Sequence, residues 1–221
     1  MSISGKTRTV TKILLGCGIL SSVLYVATDI IAATALYPGY SYTSQQVSEL
    51  SAIGAPTRSL WIAISSVWSP LVIAFGVSVW LLAGQKRALR VTGILLAVWA
   101  VVGFVWLLFP MNLRGTETLA ADVMHIVFAA AQVILMVLFI AFGAAALGRG
   151  FRLYSIGTIV VLLVLGALVS TQAPAIAAGQ PTPWMGVIER VSVYAPILWV
   201  LVFAAVLLRD QGTAPGTPYR G

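Results

Sequence analysis

Residues 123–147, VMHIVFAAAQVILMVLFIAFGAAAL, contain no aspartate, glutamate, lysine or arginine. Because an α-helix rises about 1.5 Å per residue, about 20 apolar residues cross the roughly 30 Å of hydrocarbon in a bilayer. We therefore predict that this stretch is a transmembrane helix. Five further apolar stretches near this length lie along the chain, and the six predicted spans are residues 13–36, 60–83, 91–109, 123–147, 154–170 and 187–208.

The composition supports the same class of protein. Of the 221 residues, 60% are hydrophobic and 9% are charged, whereas soluble domains carry about 25% charged residues. The apolar stretches are continuous, unlike the alternating segments of about ten residues that build a transmembrane β-barrel. We predict an all-α polytopic membrane protein with six transmembrane helices.

Lysine and arginine are distributed unevenly over the connections between the spans. The base-rich side holds Lys6, Arg8, Lys12, Lys86, Arg87, Arg90, Arg149, Arg152, Arg209 and Arg220, and the base-poor side holds Arg58, Arg114 and Arg190. Basic residues near the ends of spans stay in the cytoplasm, so we predict a cell-membrane protein whose termini are both cytoplasmic. The net charge of +7 is spread over these rims, which favours anionic membrane lipids over nucleic acid as partners.

The chain contains one predicted domain, the six-helix membrane domain of residues 13–208. Residues 1–12 form a predicted cytoplasmic N-terminus, and residues 209–221, rich in glycine and proline, form a predicted disordered cytoplasmic tail. The first apolar stretch is longer than the roughly 7 to 15 residues of a signal-peptide core, so we interpret it as a span. Residues 143–148, rich in glycine and alanine, suit packing within or between subunits, which leaves a homo-oligomer open.

The connection after the first span, residues 37–56, carries the signals of a short helix. Thr43 or Ser44 is a suitable N-cap, and a glycine and a proline further along suit its end. We predict a short helix on the outer surface between the first two spans, with Ser48 and Glu49 at the mouth of the bundle. The tyrosines of this segment also fit an interfacial anchor at the level of the lipid headgroups.

Ionisable side chains in or beside the spans collect on the base-poor side. Five of the six acids lie there together with the only histidine, namely Asp29, Glu49, Glu117, Asp122, Glu189 and His125. Since a charge in hydrocarbon is costly and such groups mark functional sites, we predict an outward-facing polar pocket. Its candidate residues are Asp29, Glu49, Asp122, His125, Gln132, Glu189 and Arg190.

The fourth span carries a polar stripe. Asp122, His125, Ala129 and Gln132 follow one another at offsets of three, seven and ten residues from the first. Residues at these offsets share one face of an α-helix. We expect this face to run inward from the outer surface and to form part of the pocket.

Asp29 lies about seven residues, or roughly 10 Å, below the outer end of the first span. A carboxylate at that depth requires a partner, and the candidates are His125 and Arg190. The adjacent residues Glu189 and Arg190 point to different sides of their helix, so they do not both face one point.

A single histidine argues against a bound metal or cofactor. Catalytic zinc sites take about three protein ligands, and haem held between helices takes paired histidines. No Gly-x-Ser-x-Gly motif marks a serine nucleophile in this chain. We therefore expect neither a metal nor a cofactor.

Most of the tryptophans suit structural roles. We assign interfacial belts to Trp61, Trp80, Trp106 and Trp184, and interior packing to Trp68, Trp99 and Trp199. The second span also carries Pro70, preceded by three serines. We interpret these serines as repairing a helix backbone that the proline kinks.

The order of motifs along residues 14–208 resembles a known family of bacterial membrane proteins. The motif residues are Tyr40, the run VSELSA at 47–52, Gly54, Pro56, the run FPM at 109–111, His125, Gly186, Glu189 and Arg190. The family is grouped as domain of unknown function 998, and it has no established activity. The layout also resembles the eukaryotic Frag, DRAM and Sfk membrane proteins, which implies a lipid-related or membrane-organising role.

Four interpretations of the polar set follow. We expect the pocket to bind a lipid or other amphiphile headgroup. The competing structural interpretation is an ion-pair and hydrogen-bond network that holds the helices in register. An outer-leaflet lipid-modifying enzyme is the alternative, with Asp29 or Glu189 and His125 as an acid–base pair. A small proton-coupled transporter is a further alternative. Whether the protein is an enzyme stays open on this reading.

Overall fold

The computed structural model describes residues 5–116 and 120–211, and all regular secondary structure in these two ranges is helical. The seven α-helices are α1 (Gly5–Ile31), α2 (Arg58–Leu82), α3 (Arg87–Trp106), α4 (Ala120–Ala146), α5 (Arg149–Ser170), α6 (Ala173–Ala177) and α7 (Met185–Asp210). All except α6 belong to segments that are long and apolar enough to cross a membrane. The predicted all-α fold with six spans is confirmed.

The helix ends differ in places from the predicted spans. Helix α1 begins at Gly5, within the predicted N-terminal segment, and continues into a π-helical turn at Ala32–Leu36. Helix α7 ends at Asp210. Residues 212–221, most of the predicted disordered tail, lie outside the described residues, and so does Glu117.

The six long helices form a ring in chain order. Each packs against the next, and α7 closes the ring by packing against both α5 and α1. The longer connections meet at one end of the ring, called the loop end, and they are residues 37–57, 107–116 and 171–184. Backbone hydrogen bonds join them, since Ile53 donates to the Met111 carbonyl at 2.9 Å and Gly115 donates to the Ile176 carbonyl at 3.1 Å.

The half of the ring away from the loop end is filled by aromatic side chains. Phe75, Phe139, Trp199 and Phe203 are fully buried there. The Trp199 and Phe203 rings are stacked with centroids 4.7 Å apart, and the Trp199 indole donates a hydrogen bond to Ser155 Oγ at 2.8 Å. Because lipid tails are as apolar as these rings, the half is held by close packing rather than by exclusion of water.

Helices α2 and α3 cross at two glycines. A Cβ atom added to Gly76 would lie 2.6 Å from the Gly93 carbonyl oxygen, and one added to Gly93 would lie 2.6 Å from the Gly76 carbonyl oxygen. Such distances are far below van der Waals contact. The absence of side chains at both positions therefore allows the two backbones to approach this closely.

The predicted short helix between α1 and α2 is confirmed as a 3₁₀ turn at Val47–Ser51. Val47 and Leu50 are buried, and they pack in a cluster that includes Trp61. The predicted cap at Thr43 or Ser44 is wrong, because Gln46 is the N-cap and its backbone N–H donates to Glu49 Oε1 at 2.9 Å. Glu49, three residues after the cap, completes a capping box that a Thr or Ser cap would not form with it.

Candidate functional site

A cavity of about 800 Å³ lies between the helices in the half of the ring toward the loop end. Residues of all six long helices form its wall, with Tyr25 as the contribution of α1, and residues of the three longer connections surround its mouth. Most of the wall is apolar. The volume falls in the range of about 300–1,000 Å³ that is typical of small-molecule sites.

Four tryptophans line this cavity, namely Trp61, Trp68, Trp99 and Trp106. Trp61 and Trp68 are seven residues apart and therefore share one face of α2. The Trp68 and Trp99 rings meet edge to face with centroids 4.9 Å apart. From the sequence we expected Trp61 and Trp106 to lie in an interfacial belt, and Trp68 and Trp99 to pack in the interior. We did not predict that the four would line one cavity.

Several buried polar atoms of residues that line the cavity lack a hydrogen-bond partner among the described residues. They are the indole nitrogens of Trp61, Trp68 and Trp99 and the hydroxyl of Ser69. The exposed fractions of Trp61, Ser69 and Trp99 are 7%, 2% and 2%. A buried donor without a partner costs about 1–3 kcal/mol, and most buried donors in proteins are satisfied.

The polar stripe of α4 faces the same cavity. Asp122, His125, Ala129 and Gln132 all line it. The Asp122 carboxylate accepts hydrogen bonds from the backbone and the side-chain amide of Asn112, both at 2.8 Å. Gln132 donates to the Trp99 carbonyl at 3.3 Å, so the inner end of the stripe is tied to α3.

His125 has two competing partners at one ring nitrogen. Its Nδ1 lies 3.0 Å from Trp106 Nε1 and 3.0 Å from the Phe109 carbonyl oxygen. An indole N–H only donates and a carbonyl only accepts, so the tautomer selects one of these two bonds. In both tautomers the imidazole is held against the Trp106 ring, with centroids 4.7 Å apart.

Asp29 and Arg190 form a buried ion pair behind the cavity wall. Arg190 Nε donates to Asp29 Oδ2 at 2.8 Å, and Nη2 donates to Oδ1 at 2.9 Å. The Tyr194 hydroxyl also donates to Oδ2 of Asp29. Asp29 therefore pairs with Arg190 rather than with His125, and neither member of the pair lines the cavity.

The remaining donors of Arg190 bind the connection between α1 and α2. Nη1 donates to the carbonyls of Tyr42 and Gln45 at 2.8 and 3.1 Å, and Nη2 donates to the Tyr40 hydroxyl at 2.8 Å. The guanidinium also lies 3.8 Å from the centroid of the Tyr42 ring. Burial raises the pKa of Tyr40 above its ordinary value, so its hydroxyl stays protonated. This fully engaged arginine fastens the connection to α7.

A second ion pair joins Glu49 of the short helix to Arg114. Arg114 Nη2 donates to Glu49 Oε1 at 2.5 Å, and Nε donates to Oε2 at 2.8 Å. The Glu49 side chain is fully buried, whereas that of Arg114 is 22% exposed and lines the cavity. The hydrogen bonds to Glu49 raise the pKa of Arg114, which stays a cation at any physiological pH.

Glu189 is the second acidic residue of the cavity wall. It lines the cavity together with Asp122, and its Oε2 accepts the Val47 N–H at 2.5 Å. The next residue, Arg190, pairs with Asp29 and does not line the cavity. Arg58 adds a cation to the wall and donates to the Ser51 carbonyl at 2.6 Å.

The seven residues predicted for the pocket fall into two groups. Those that line the cavity are Asp122, His125, Gln132 and Glu189, and those that form ion pairs off the wall are Asp29, Glu49 and Arg190. The pocket predicted from the sequence did not include Arg58, Arg114, Ser69 and the four tryptophans, although they line the cavity. The seven-residue spacing of Trp61 and Trp68, which places both on one face of a helix, was the signal in the sequence that could have indicated this wall. Among residues 5–116 and 120–211, no three His, Cys, Asp or Glu side chains are grouped to hold a metal ion.

Comparison with known proteins places the chain within a family but not near a characterised protein. The family model described as "Protein of unknown function (DUF998)" matches residues 19–206. No curated protein and no solved structure matches the chain.

Proposed function

The chain belongs to the DUF998 family, and from its cavity we propose that this multi-pass membrane protein binds a lipid or other amphiphile. The observation that carries the proposal is a cavity of about 800 Å³ with an apolar wall and charged residues. An apolar wall between membrane-spanning helices suits a hydrocarbon chain, and the polar groups suit a headgroup.

The charged groups of the cavity have both signs. Arg58 and Arg114 contribute cations, and Asp122 and Glu189 contribute carboxylates. Such a set offers partners to the phosphate, amine or hydroxyl groups of a lipid headgroup. With the loop end on the base-poor side of the membrane, the ligand would be an outer-leaflet amphiphile.

A lipid-modifying enzyme is the second candidate. His125 and Glu189 both line the cavity, and an imidazole with a carboxylate is a common general acid–base set. The transport alternative has weaker support, because buried aromatic rings such as Phe139 and Trp199 fill the other half of the ring.

The proposal is tested by filling the cavity. Gly166 of α5 lines it, and a Cβ added there would have Ser192 Oγ as its nearest neighbour at an ordinary 3.7 Å. Gly157 lies on the same helix away from the cavity, with nothing within 4 Å of an added Cβ. Gly166→Leu and Gly157→Leu are therefore matched substitutions, one inside the cavity and one outside it.

We expect wild type and Gly157→Leu to retain a specific amphiphile through purification in mild detergent, and Gly166→Leu to lose most of it. Native mass spectrometry measures the retained species, and thermal unfolding checks that the three proteins are equally folded. Equal retention in Gly166→Leu, or only bulk lipid in all three, would contradict the proposal and favour a purely structural polar network.

A further inference from the structure

Two opposite charges on the cavity wall, Arg58 and Glu189, indicate the kind of headgroup that the ligand carries. Resting on the proposed function, we propose that the cavity binds a phospholipid with a zwitterionic phosphoethanolamine headgroup. The Arg58 guanidinium binds its phosphate, and the Glu189 carboxylate accepts hydrogen bonds from its ammonium group.

The neighbouring charged groups are already engaged. Asp122 accepts both donors of Asn112, and two ion pairs hold four further charges, namely Asp29 with Arg190 and Glu49 with Arg114. Arg58 and Glu189 form no ion pair with each other or with another residue that the structure describes. A charge without a counterion is costly between membrane-spanning helices. A zwitterionic ligand that supplies both counterions therefore complements this wall.

Both side chains have atoms that the protein leaves accessible. Glu189 Oε2 accepts the Val47 N–H, whereas Oε1 has no hydrogen-bond partner among the described residues and is not one of the fully enclosed polar atoms that lack a partner. Arg58 Nη1 donates to the Ser51 carbonyl, and the same holds for its Nε and Nη2. Both residues are partly exposed. One carboxylate oxygen and two guanidinium nitrogens are therefore open to a ligand.

Helical spacing places both side chains toward the cavity. Residues 192–193 follow Glu189 by three and four positions on α7, and both line the cavity. Residues 61–62 follow Arg58 by the same offsets on α2, and both line it as well. Residues at these offsets share one face of a helix. Arg58 and Glu189 therefore lie on the faces of α2 and α7 that form the cavity wall.

The short helix at Val47–Ser51 separates the two charges. Its first N–H donates to Glu189 at 2.5 Å, and its last carbonyl accepts from Arg58 at 2.6 Å. A 3₁₀ helix rises about 2.0 Å per residue, so five residues span about 10 Å. Phosphoethanolamine has two carbons between a phosphate oxygen and the nitrogen, and a hydrogen bond of about 2.8 Å at each end brings its reach to a similar length. Residues 47, 48 and 51 line the cavity along this gap.

The level of the two charges also suits a phospholipid. Arg58 is the first residue of α2, and Glu189 lies four residues after the start of α7, so both are near the loop end. Most of the remaining wall is apolar. A phospholipid keeps its headgroup near the membrane surface and its acyl chains in hydrocarbon. The headgroup at Arg58 and Glu189 therefore directs a chain along the apolar wall.

Three probes separate the parts of this ligand. Phosphatidylethanolamine carries the phosphate, the ammonium group and the acyl chains. Phosphatidylglycerol with the same chains lacks the ammonium group, and glycerophosphoethanolamine lacks the chains. Calorimetric titration of the purified protein in detergent measures the binding of each probe.

Two variants remove one charge each. Glu189→Gln removes the carboxylate charge but keeps an oxygen that accepts the N–H of the short helix, and Arg58→Gln removes the cation. Asp210→Asn, on the same helix as Glu189, is the control for the first variant. Arg90→Gln is the control for the second, because Arg90 also donates to a backbone carbonyl. Neither control residue lines the cavity.

We expect wild type and both controls to bind phosphatidylethanolamine at least about tenfold more tightly than phosphatidylglycerol, which is the contribution of one charge-assisted hydrogen bond. Glu189→Gln should bind the two lipids alike. Arg58→Gln should weaken both lipids by a similar factor and keep the preference, because both carry the phosphate. If Arg58→Gln does not fold, the lipid preference of Glu189→Gln is a sufficient test.

Three other results would overturn the proposal in distinguishable ways. Equal binding of the two lipids by wild type, unchanged in Glu189→Gln, would refute recognition of the ammonium group while leaving amphiphile binding intact. Glycerophosphoethanolamine that binds as tightly as the lipid would identify a soluble ligand instead. No binding of any probe, together with no amphiphile retained by wild type or Gly157→Leu, would refute the proposed function itself.

Discussion

At the scale of single residues, the two ion pairs differ in how far water reaches them. Asp29 and Arg190 are both buried, and every remaining donor of Arg190 that the structure describes is directed to protein oxygens. Glu49 is buried but its partner Arg114 is partly exposed at the cavity. Removing one member of a buried pair leaves an uncompensated charge. The Asp29 pair is therefore the one on which stability depends most.

Asp29→Asn tests this dependence. The amide cannot balance the buried Arg190 guanidinium, so we expect the free energy of unfolding to fall by about 3–5 kcal/mol. Thermal unfolding in detergent measures the loss. Glu189→Gln is the comparison, because its amide oxygen still accepts the Val47 N–H, and it should lower the melting temperature much less. A melting temperature of Asp29→Asn equal to wild type would show that the pair does not stabilise the fold.

At the scale of elements, the connection between α1 and α2 is held from two sides. Arg190 of α7 binds its carbonyls, and Arg114 of the connection between α3 and α4 binds Glu49 in its short helix. Gly186 allows α7 to approach, since an added Cβ would lie 2.5 Å from the Tyr42 carbonyl oxygen. The segment lines part of the cavity mouth because these contacts place it there.

The close contact of α2 and α3 predicts that a side chain added at their crossing lowers the stability of the fold. Gly93→Ala places a methyl group against the Gly76 carbonyl oxygen and the Trp80 backbone, and overpacking of this kind costs about 1–3 kcal/mol. Gly157→Ala adds the same methyl group where nothing lies within 4 Å, and it should be neutral or slightly stabilising. Unfolding in detergent compares the two variants. An equal effect of both would argue against a tight crossing.

At the scale of the whole molecule, the ring has two unlike halves. Packed aromatic rings fill one half, and the cavity occupies the half nearer the loop end. The charged residues on the cavity wall are consequently gathered toward one face of the membrane. The distribution of lysine and arginine predicts that this face is the outer one.

Cysteine labelling of intact cells tests that orientation. In a Cys17→Ser background, Gln180→Cys places a thiol at the loop end and Gln85→Cys places one at the opposite end, both at exposed positions. We expect a membrane-impermeant maleimide to label Gln180→Cys directly and to label Gln85→Cys only after permeabilisation. The reverse pattern would place both termini outside.

Much of the fold was predictable because it depends on local spacing. Hydrocarbon requires continuous apolar helices, so the six spans could be recognised from their length and composition. Helical periodicity likewise placed Asp122, His125 and Gln132 on one face of α4, and that face lines the cavity. The cap of the short helix was mispredicted because glutamine at an N-cap is a weaker signal than threonine or serine.

The sequence by itself determined the class of protein, the spans and the face of each helix that carries polar residues. Only the tertiary structure decided which charges meet. Asp29 and Arg190 are 161 residues apart, and Glu49 and Arg114 are 65 residues apart. Periodicity is a property of neighbouring residues, whereas these pairings, and the wall built from Trp61, Ser69 and Trp99, depend on the order and rotation of helices packed in a closed ring.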